Sequence, residues 1–193
     1  VVSSQGVLTY VGVGANIAPE ENIPRALALL HAQAPVRAVS TFYVTPPIGR
    51  PEQSDYLNGV VAVWCGLPAR ALKYDLLRKV EAELGRVRTA DPYAARPIDL
   101  DLLMYGDEVI NEPDLRVPDG DLRERLFLAA ALLELAPACI LPDTGQALAE
   151  LVVRGETRAA RRCRQEPPAG ILLGQHLLPH CHHGLGVIDG AAQ

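Results

Sequence analysis

Two periodicities alternate along the chain up to about Leu135, and their order constrains the fold more than any other feature. Val7 to Val13 is a β-rich run, and Pro19-Glu20-Glu21 then opens a segment in which Ile23, Leu27, Leu30 and Ala34 recur at helical spacing. Val36 to Val44 reads as a second strand, ended by Pro46-Pro47, a pair that cannot continue a ladder of backbone hydrogen bonds. Tyr56 to Cys65 reads as a third. Pro68 followed by Leu72, Leu76, Val80 and Leu84 predicts a second helix stopped by Gly85. Ile98 to Tyr105 is a fourth strand ending at Gly106-Asp107, and a third helix is predicted from about Leu122 to Leu135. Strand, helix, strand, strand, helix, strand is the split βαβ order. The expected fold is α+β, a ferredoxin-like antiparallel sheet packed with helices and carrying additional elements.

At 193 residues and 49% hydrophobic, the chain has apolar material for one packed domain. A net charge of −5 argues against a nucleic-acid surface, which needs clustered Lys and Arg. No run approaches the roughly 18 apolar residues of a membrane span. A signal-peptide pattern is absent from the start, and Cys65, Cys139, Cys163 and Cys181 form no CxxC pair, so a reduced, cytoplasmic setting and a monomer are expected. Residues 1–153 hold 13 basic and 20 acidic side chains against 5 and 3 in 154–193. A boundary near Arg154 is therefore expected, with a folded domain at 1–153 and an irregular extension at 154–193. The extension contains Pro179-His-Cys-His-His183, which is read as a ligand-rich tail rather than a metal centre.

The loops at 45–55 and 86–97 are longer than their connections require, and long loops on a compact scaffold are where binding chemistry sits. Asp99 and Asp101 lie two apart, so on a strand both carboxylates share one face while Leu100 and Leu102 take the other. Two carboxylates on one face repel unless a cation lies between them, and an all-oxygen pair suits Mg²⁺. Arg86, Arg88 and Arg96 stand on the loop that leads into this strand, where guanidinium forks can neutralise a polyphosphate. Thr45-Pro-Pro-Ile-Gly49 has another character: its prolines make a rigid wall, while Tyr56 offers a flat stacking surface and Asn58 a donor and an acceptor. That set suits a planar heterocycle with an amide edge. Gly12-Val-Gly14 lacks the third glycine of a dinucleotide fingerprint, and no GxxxxGK[ST] or GxSxG occurs, so phosphate handling falls to arginines and metal.

With these residues in view, the chain resembles the 6-hydroxymethyl-7,8-dihydropterin pyrophosphokinases of folate biosynthesis. The resemblance spans about Leu8 to Val153 and rests on TYVGVGAN, STFYVTPPIG, QSDYLNGVV, EAELGRVRT, ARPIDLDLLMYGDEVI and RLFLAAALLELAP, in the family's order. It implies Mg²⁺-dependent transfer of pyrophosphate from ATP, as co-substrate, to the pterin alcohol, with AMP released. By the same resemblance Asp99 and Asp101 would bind two Mg²⁺ ions, and Arg86 and Arg96 would close over the triphosphate. Glu81, Arg88, Leu102 and Arg125 match the ATP site, and Arg116 is placed with them. Tyr56 and Phe127 would sandwich the pterin, Asn58 would hold its ring edge, and Thr45, Pro46, Pro47 and Ile48 would line it. The partners implied are small molecules, with no nucleic acid and no membrane.

The chain departs from the family's pattern at several positions, among them Pro92 in place of a commonly charged residue and Tyr93 in place of a frequent Trp. Gly14-Ala-Asn-Ile-Ala18 stands where the family commonly has Gly-Ser-Asn-x-Gly, Ala94-Ala95 precedes the loop arginine in place of Gly-Pro, and Asp119 occupies a position usually held by histidine. An ionised aspartate accepts hydrogen bonds only and repels phosphate. These substitutions motivate a second reading, a catalytically impaired homologue that binds pterin or nucleotide without turnover.

Overall fold

The computed structural model describes residues 6–91 and 93–159. Its centre is an antiparallel sheet of β1 (Val7–Ala15), β2 (Val36–Val39), β3 (Tyr43–Thr45), β4 (Tyr56–Cys65) and β5 (Asp99–Tyr105). The order is β2-β4-β1-β5, and β3 pairs with the other half of β4. The first strand thus lies between the third and the last of the split βαβ path, as the ferredoxin-like expectation requires.

Each strand sorts its side chains between two layers. Val11, Val13 and Ala15 of β1, with Leu100 and Leu102 of β5, are buried against α1 (Pro19–Gln33) and the second helix. The amphipathic face of α1 supplies Ile23, Ala26, Leu27 and Leu30 to that layer. Val60, Leu103 and Met104 face the other way, onto α5 (Leu126–Leu135) and α6 (Leu148–Ala159), where Leu128, Leu132 and Leu148 close a second core.

Three expected elements differ in the structure. The single strand at Val36 to Val44 is two strands, because the chain turns at Ser40 to send Phe42 into the core. The ring lies so close over Gly59 that a β-carbon there would stand 3.0 Å from it. Ser40 keeps the break satisfied, its N–H donating to the Val60 carbonyl at 2.9 Å and its hydroxyl oxygen accepting the Val60 N–H at 2.9 Å. From α5, Glu134 accepts the Thr41 N–H at 2.7 Å and the Tyr43 hydroxyl at 2.6 Å.

The helix expected from Pro68 runs as α2 (Ala69–Ala71), a π-helical stretch (Leu72–Leu77) and α3 (Arg78–Glu83). Steps of four residues overshoot a full α-helical turn by about 40° each, and the wider π turn takes part of that drift back. Leu72, Leu76 and Val80 consequently all stay buried, and Leu77 joins them. The third helix is likewise divided, into α4 (Asp121–Glu124) and α5, by an extended Arg125 with φ −113° and ψ 94°.

The hairpin of β6 (Ile110–Asn111) and β7 (Arg116–Val117) and the helix α6 are additional elements without a counterpart in the sequence reading. α6 carries the chain across position 154, and residues 160–193, with the histidine-rich stretch, lie outside the described residues.

Candidate active site

The helices α5 and α6 cover only part of their face of the sheet, and a cleft of about 520 Å³ opens on the remainder. Its floor is the outer face of β1 and β5. Gly12 pairs with Asp101 and Gly14 with Asp99, so two residues without side chains lie in rows with two carboxylates. On the opposite flank of β1, Gly14 pairs with Asn58 and Gly12 with Val60. The glycine pair that fails as a nucleotide fingerprint therefore serves as a flat floor between an amide on one strand and carboxylates on another. Period-two alternation in Gly12-Val-Gly14 and Asp99-Leu-Asp101 carries this signal in the sequence.

The cleft is lined by Thr45, Pro46, Pro47, Ile48, Tyr56, Asn58, Arg96, Asp99, Asp101, Arg125 and Phe127, all singled out from the sequence. Tyr93, Asp121, Leu103 and Leu128 join them without having been placed there. Arg125 reaches the cleft because the helix breaks at that residue. The other sequence candidates lie elsewhere. Leu102 is 1% exposed in the core on the far side of the sheet, Arg116 is exposed on β7, and Glu81 is buried behind β5.

Glu81 organises the arginine loop from beneath. Its Oε1 accepts the Leu100 N–H at 2.9 Å and an ion pair from Arg86, and its Oε2 accepts Arg88 at 2.7 Å. Arg86 also reaches Asp99, and Arg96 donates to the second Asp99 oxygen at 2.5 Å. Burial alone would push the Asp99 carboxyl up, but the two guanidiniums hold it below the usual carboxylate range. Asp101 opens on the cleft and makes no ion pair within hydrogen-bonding reach among the described residues, while Arg96 and Lys73 act on it from farther off. Protein atoms packed around it and the charges of Asp99, Asp119 and Glu81 push its carboxyl above the usual carboxylate range.

Asn16, 5% exposed, ties the loops around this cleft together, a role the sequence reading missed. Its Oδ1 accepts the Arg96 N–H at 2.8 Å, and its amide donates to Gln53 at 3.2 Å. Gln53 in turn donates to the Tyr93 carbonyl at 3.0 Å, and Arg50 pairs with Asp91 at 2.6 Å.

A carboxylate ion-paired to two guanidiniums beside a second that opens on the cleft without a close ion pair is a donor set fit for a hard divalent ion such as Mg²⁺. No cluster of three or more metal-ligating side chains occurs among the described residues, so further ligands would be phosphate oxygens and water. Asp119 sits behind the pair. Its Oδ1 accepts the Asp121 N–H at 2.8 Å, and burial pushes its carboxyl up.

Known proteins resemble the chain over most of its length. A 2-amino-4-hydroxy-6-hydroxymethyldihydropteridine pyrophosphokinase of Pseudomonas aeruginosa is 38% identical over 146 residues, covering 74% of this chain and 88% of that protein. The enzyme of the same name in Haemophilus influenzae is 35% identical over 150 residues, covering 76% and 91%. Among solved structures, the HPPK-DHPS of Plasmodium falciparum superposes with a TM-score of 0.61 at 12% identity, a likeness of fold. It covers 82% of this chain, which spans only 43% of that longer one. Residues 10–137 match the profile of the family to which these names point, and the chain belongs to it: the 7,8-dihydro-6-hydroxymethylpterin-pyrophosphokinases.

Proposed function

We propose that the protein transfers the β,γ-pyrophosphoryl group of ATP to the hydroxymethyl oxygen of 6-hydroxymethyl-7,8-dihydropterin, a step of folate biosynthesis. The observation that carries this reading is the division of a single cleft into two chemistries: Tyr56, Asn58 and the Thr45-Pro-Pro-Ile48 wall on the β3–β4 flank of β1, and Asp99, Asp101 and Arg96 on the β5 flank, with Arg125 and Phe127 added from the start of α5. The first half suits a flat heterocycle and the second a polyphosphate, so the hydroxymethyl arm of a pterin lying in the first would point at phosphorus in the second.

In this reading Tyr56 and Phe127 hold the ring and Asn58 reads its edge, which fixes the hydroxyl oxygen for attack at the β-phosphorus. The new oxygen–phosphorus bond forms as the bond from the β-phosphorus to the AMP oxygen breaks, and the hydroxyl proton leaves. Positioning and charge neutralisation carry the rate of such a transfer. Arg86 and Arg96 exchange Asp99 for phosphate oxygens, while Arg88 and Arg125 take the nucleotide side. Glu81 acts beneath the site, as the anchor of Arg86 and Arg88. Asp101, and Asp99 once released, would hold two Mg²⁺ ions, which supply neutralisation of the phosphate charge.

The enzyme would be a cytoplasmic monomer acting on small molecules, with neither nucleic acid nor membrane as partner. Pterin-dependent AMP release from ATP and Mg²⁺ tests the activity, and light scattering after size-exclusion chromatography tests the monomer. Binding of both substrates without AMP would instead favour the binding module, a reading that gains weight from the charge of Asp119 acting on Asp101.

A further inference from the structure

In the row of the sheet that runs Asn58, Gly14, Asp99, the middle residue separates the group that would read the heterocycle from a group that would face phosphate. Asn58 does not stand free. Its Nδ2 donates to the Thr45 hydroxyl oxygen at 2.8 Å, across from the β3–β4 pairing that sets Thr45 opposite Tyr56. Thr45 is itself 8% exposed, so water competes little for that bond. With Nδ2 engaged, the amide Oδ1 lies over the bare Cα of Gly14. A β-carbon on Gly14 would overlap Oδ1 well inside van der Waals contact, and the Asp99 Cβ would stand 4.0 Å from the same point.

We propose that Gly14 and Thr45 are specificity-determining positioning residues, which together present the Asn58 amide carbonyl over the cleft floor as a fixed acceptor for an N–H on the heterocycle edge. This rests on the proposed function, since it concerns how the same cleft reads the pterin. A freely turning amide can swap its oxygen for its nitrogen, whereas one held by Thr45 keeps the oxygen in one place, with the second Nδ2 hydrogen still able to donate beside it, and disfavours a ring edge that brings no N–H to that oxygen. Gly14 makes the arrangement possible by leaving the space that Oδ1 fills. Neither residue needs to touch phosphate or metal to do this.

The test compares wild type with Thr45→Val, which keeps the shape and removes the hydroxyl, and with Thr45→Ser, which restores it. Fluorescence titration of 6-hydroxymethylpterin onto each protein without nucleotide gives Kd, and steady-state assays give KM for pterin and for ATP. Thr45→Val is expected to weaken pterin about three- to tenfold in both Kd and KM, the size of one lost neutral hydrogen bond, with the KM for ATP unchanged. Thr45→Ser is expected to bind as wild type. Gly14→Ala, if it folds, is expected to weaken pterin at least as much as Thr45→Val. Pterin affinity in Thr45→Val equal to wild type overturns the inference, and so does an equal loss in Thr45→Ser. A wild-type protein that binds no pterin sinks the proposed function itself, a result distinct from either.

Discussion

Ala18 is the only residue other than glycine with a positive φ among those described, 41° with ψ 55°, at the N-cap of α1. A β-carbon makes this left-handed conformation costly by about 1–2 kcal/mol, and glycine adopts it freely. Ala18→Gly is therefore expected to stabilise the fold by about 1 kcal/mol, less what the more flexible unfolded chain takes back, as read from urea unfolding. Asp119 poses the opposite balance. Its charge adds to those facing Asp101, yet its Oδ1 satisfies the Asp121 amide. Asp119→His should lower the KM for ATP while costing about 0.5–1.5 kcal/mol of stability through the lost hydrogen bond to the Asp121 amide, so kinetics and melting temperature are expected to move in contrary senses. Both substitutions were visible as departures in the sequence. Their physical effects were not, because a dihedral angle and a through-space charge depend on residues far away in the chain.

Among elements, what the sequence disclosed followed from local period. The β1 and β4 runs, the helix after Pro19 and the shared face of Asp99 and Asp101 rest on alternation or helical spacing that neighbouring residues set by themselves. The breaks at Ser40 and Arg125 had no such signal, since Phe42 leaves the strand to cover Gly59 on another strand, and Arg125 reaches a cleft built by distant loops. The resemblance places Leu102 at the nucleotide site, and its strand phase buries its side chain beside Leu100, which leaves its backbone to serve there. A polar cluster binds the second helix to the β6–β7 hairpin: Arg70 pairs with Glu112 and, at 2.8 Å, with Asp114, which also accepts the Tyr74 hydroxyl at 3.0 Å. Hydrogen bonds from Arg70 and then Tyr74 hold the Asp114 carboxyl down at about 2, against an ordinary 3.8. For a depressed carboxylate the stabilisation is complete above the ordinary value and fades as pH falls towards 2. The melting-temperature gap between wild type and Asp114→Asn should thus be constant from pH 7 to 5 and narrow by pH 2.5, and it should be small throughout because solvent screens the cluster.

On the scale of the whole molecule, the sheet divides labour between its faces. One core, against α1 and the second helix, is continuous; the other is shared between α5 with α6 and the cleft. We expect a chain ended after residue 159 to keep pyrophosphoryl transfer and melting temperature, whereas one ended after residue 147 should lose several kcal/mol by uncovering the second core where Leu148 sits. AMP release and thermal unfolding measured on the two truncations check both expectations. The register of β5 against β1 has a further consequence. Val11 faces Leu102 and Tyr10 faces Met104, so Leu103 is the bulged residue, and both Leu103 and Met104 enter the second core. Leu103 and Met104 thus mark the place in β5 where one whole codon can be lost without changing the phase of the strand on either side. Loss of Leu102 would instead move both carboxylates onto the face that the leucines hold, and loss of Leu100 would set Asp99 and Asp101 on opposite faces, so either in-frame deletion would dismantle the floor of the cleft.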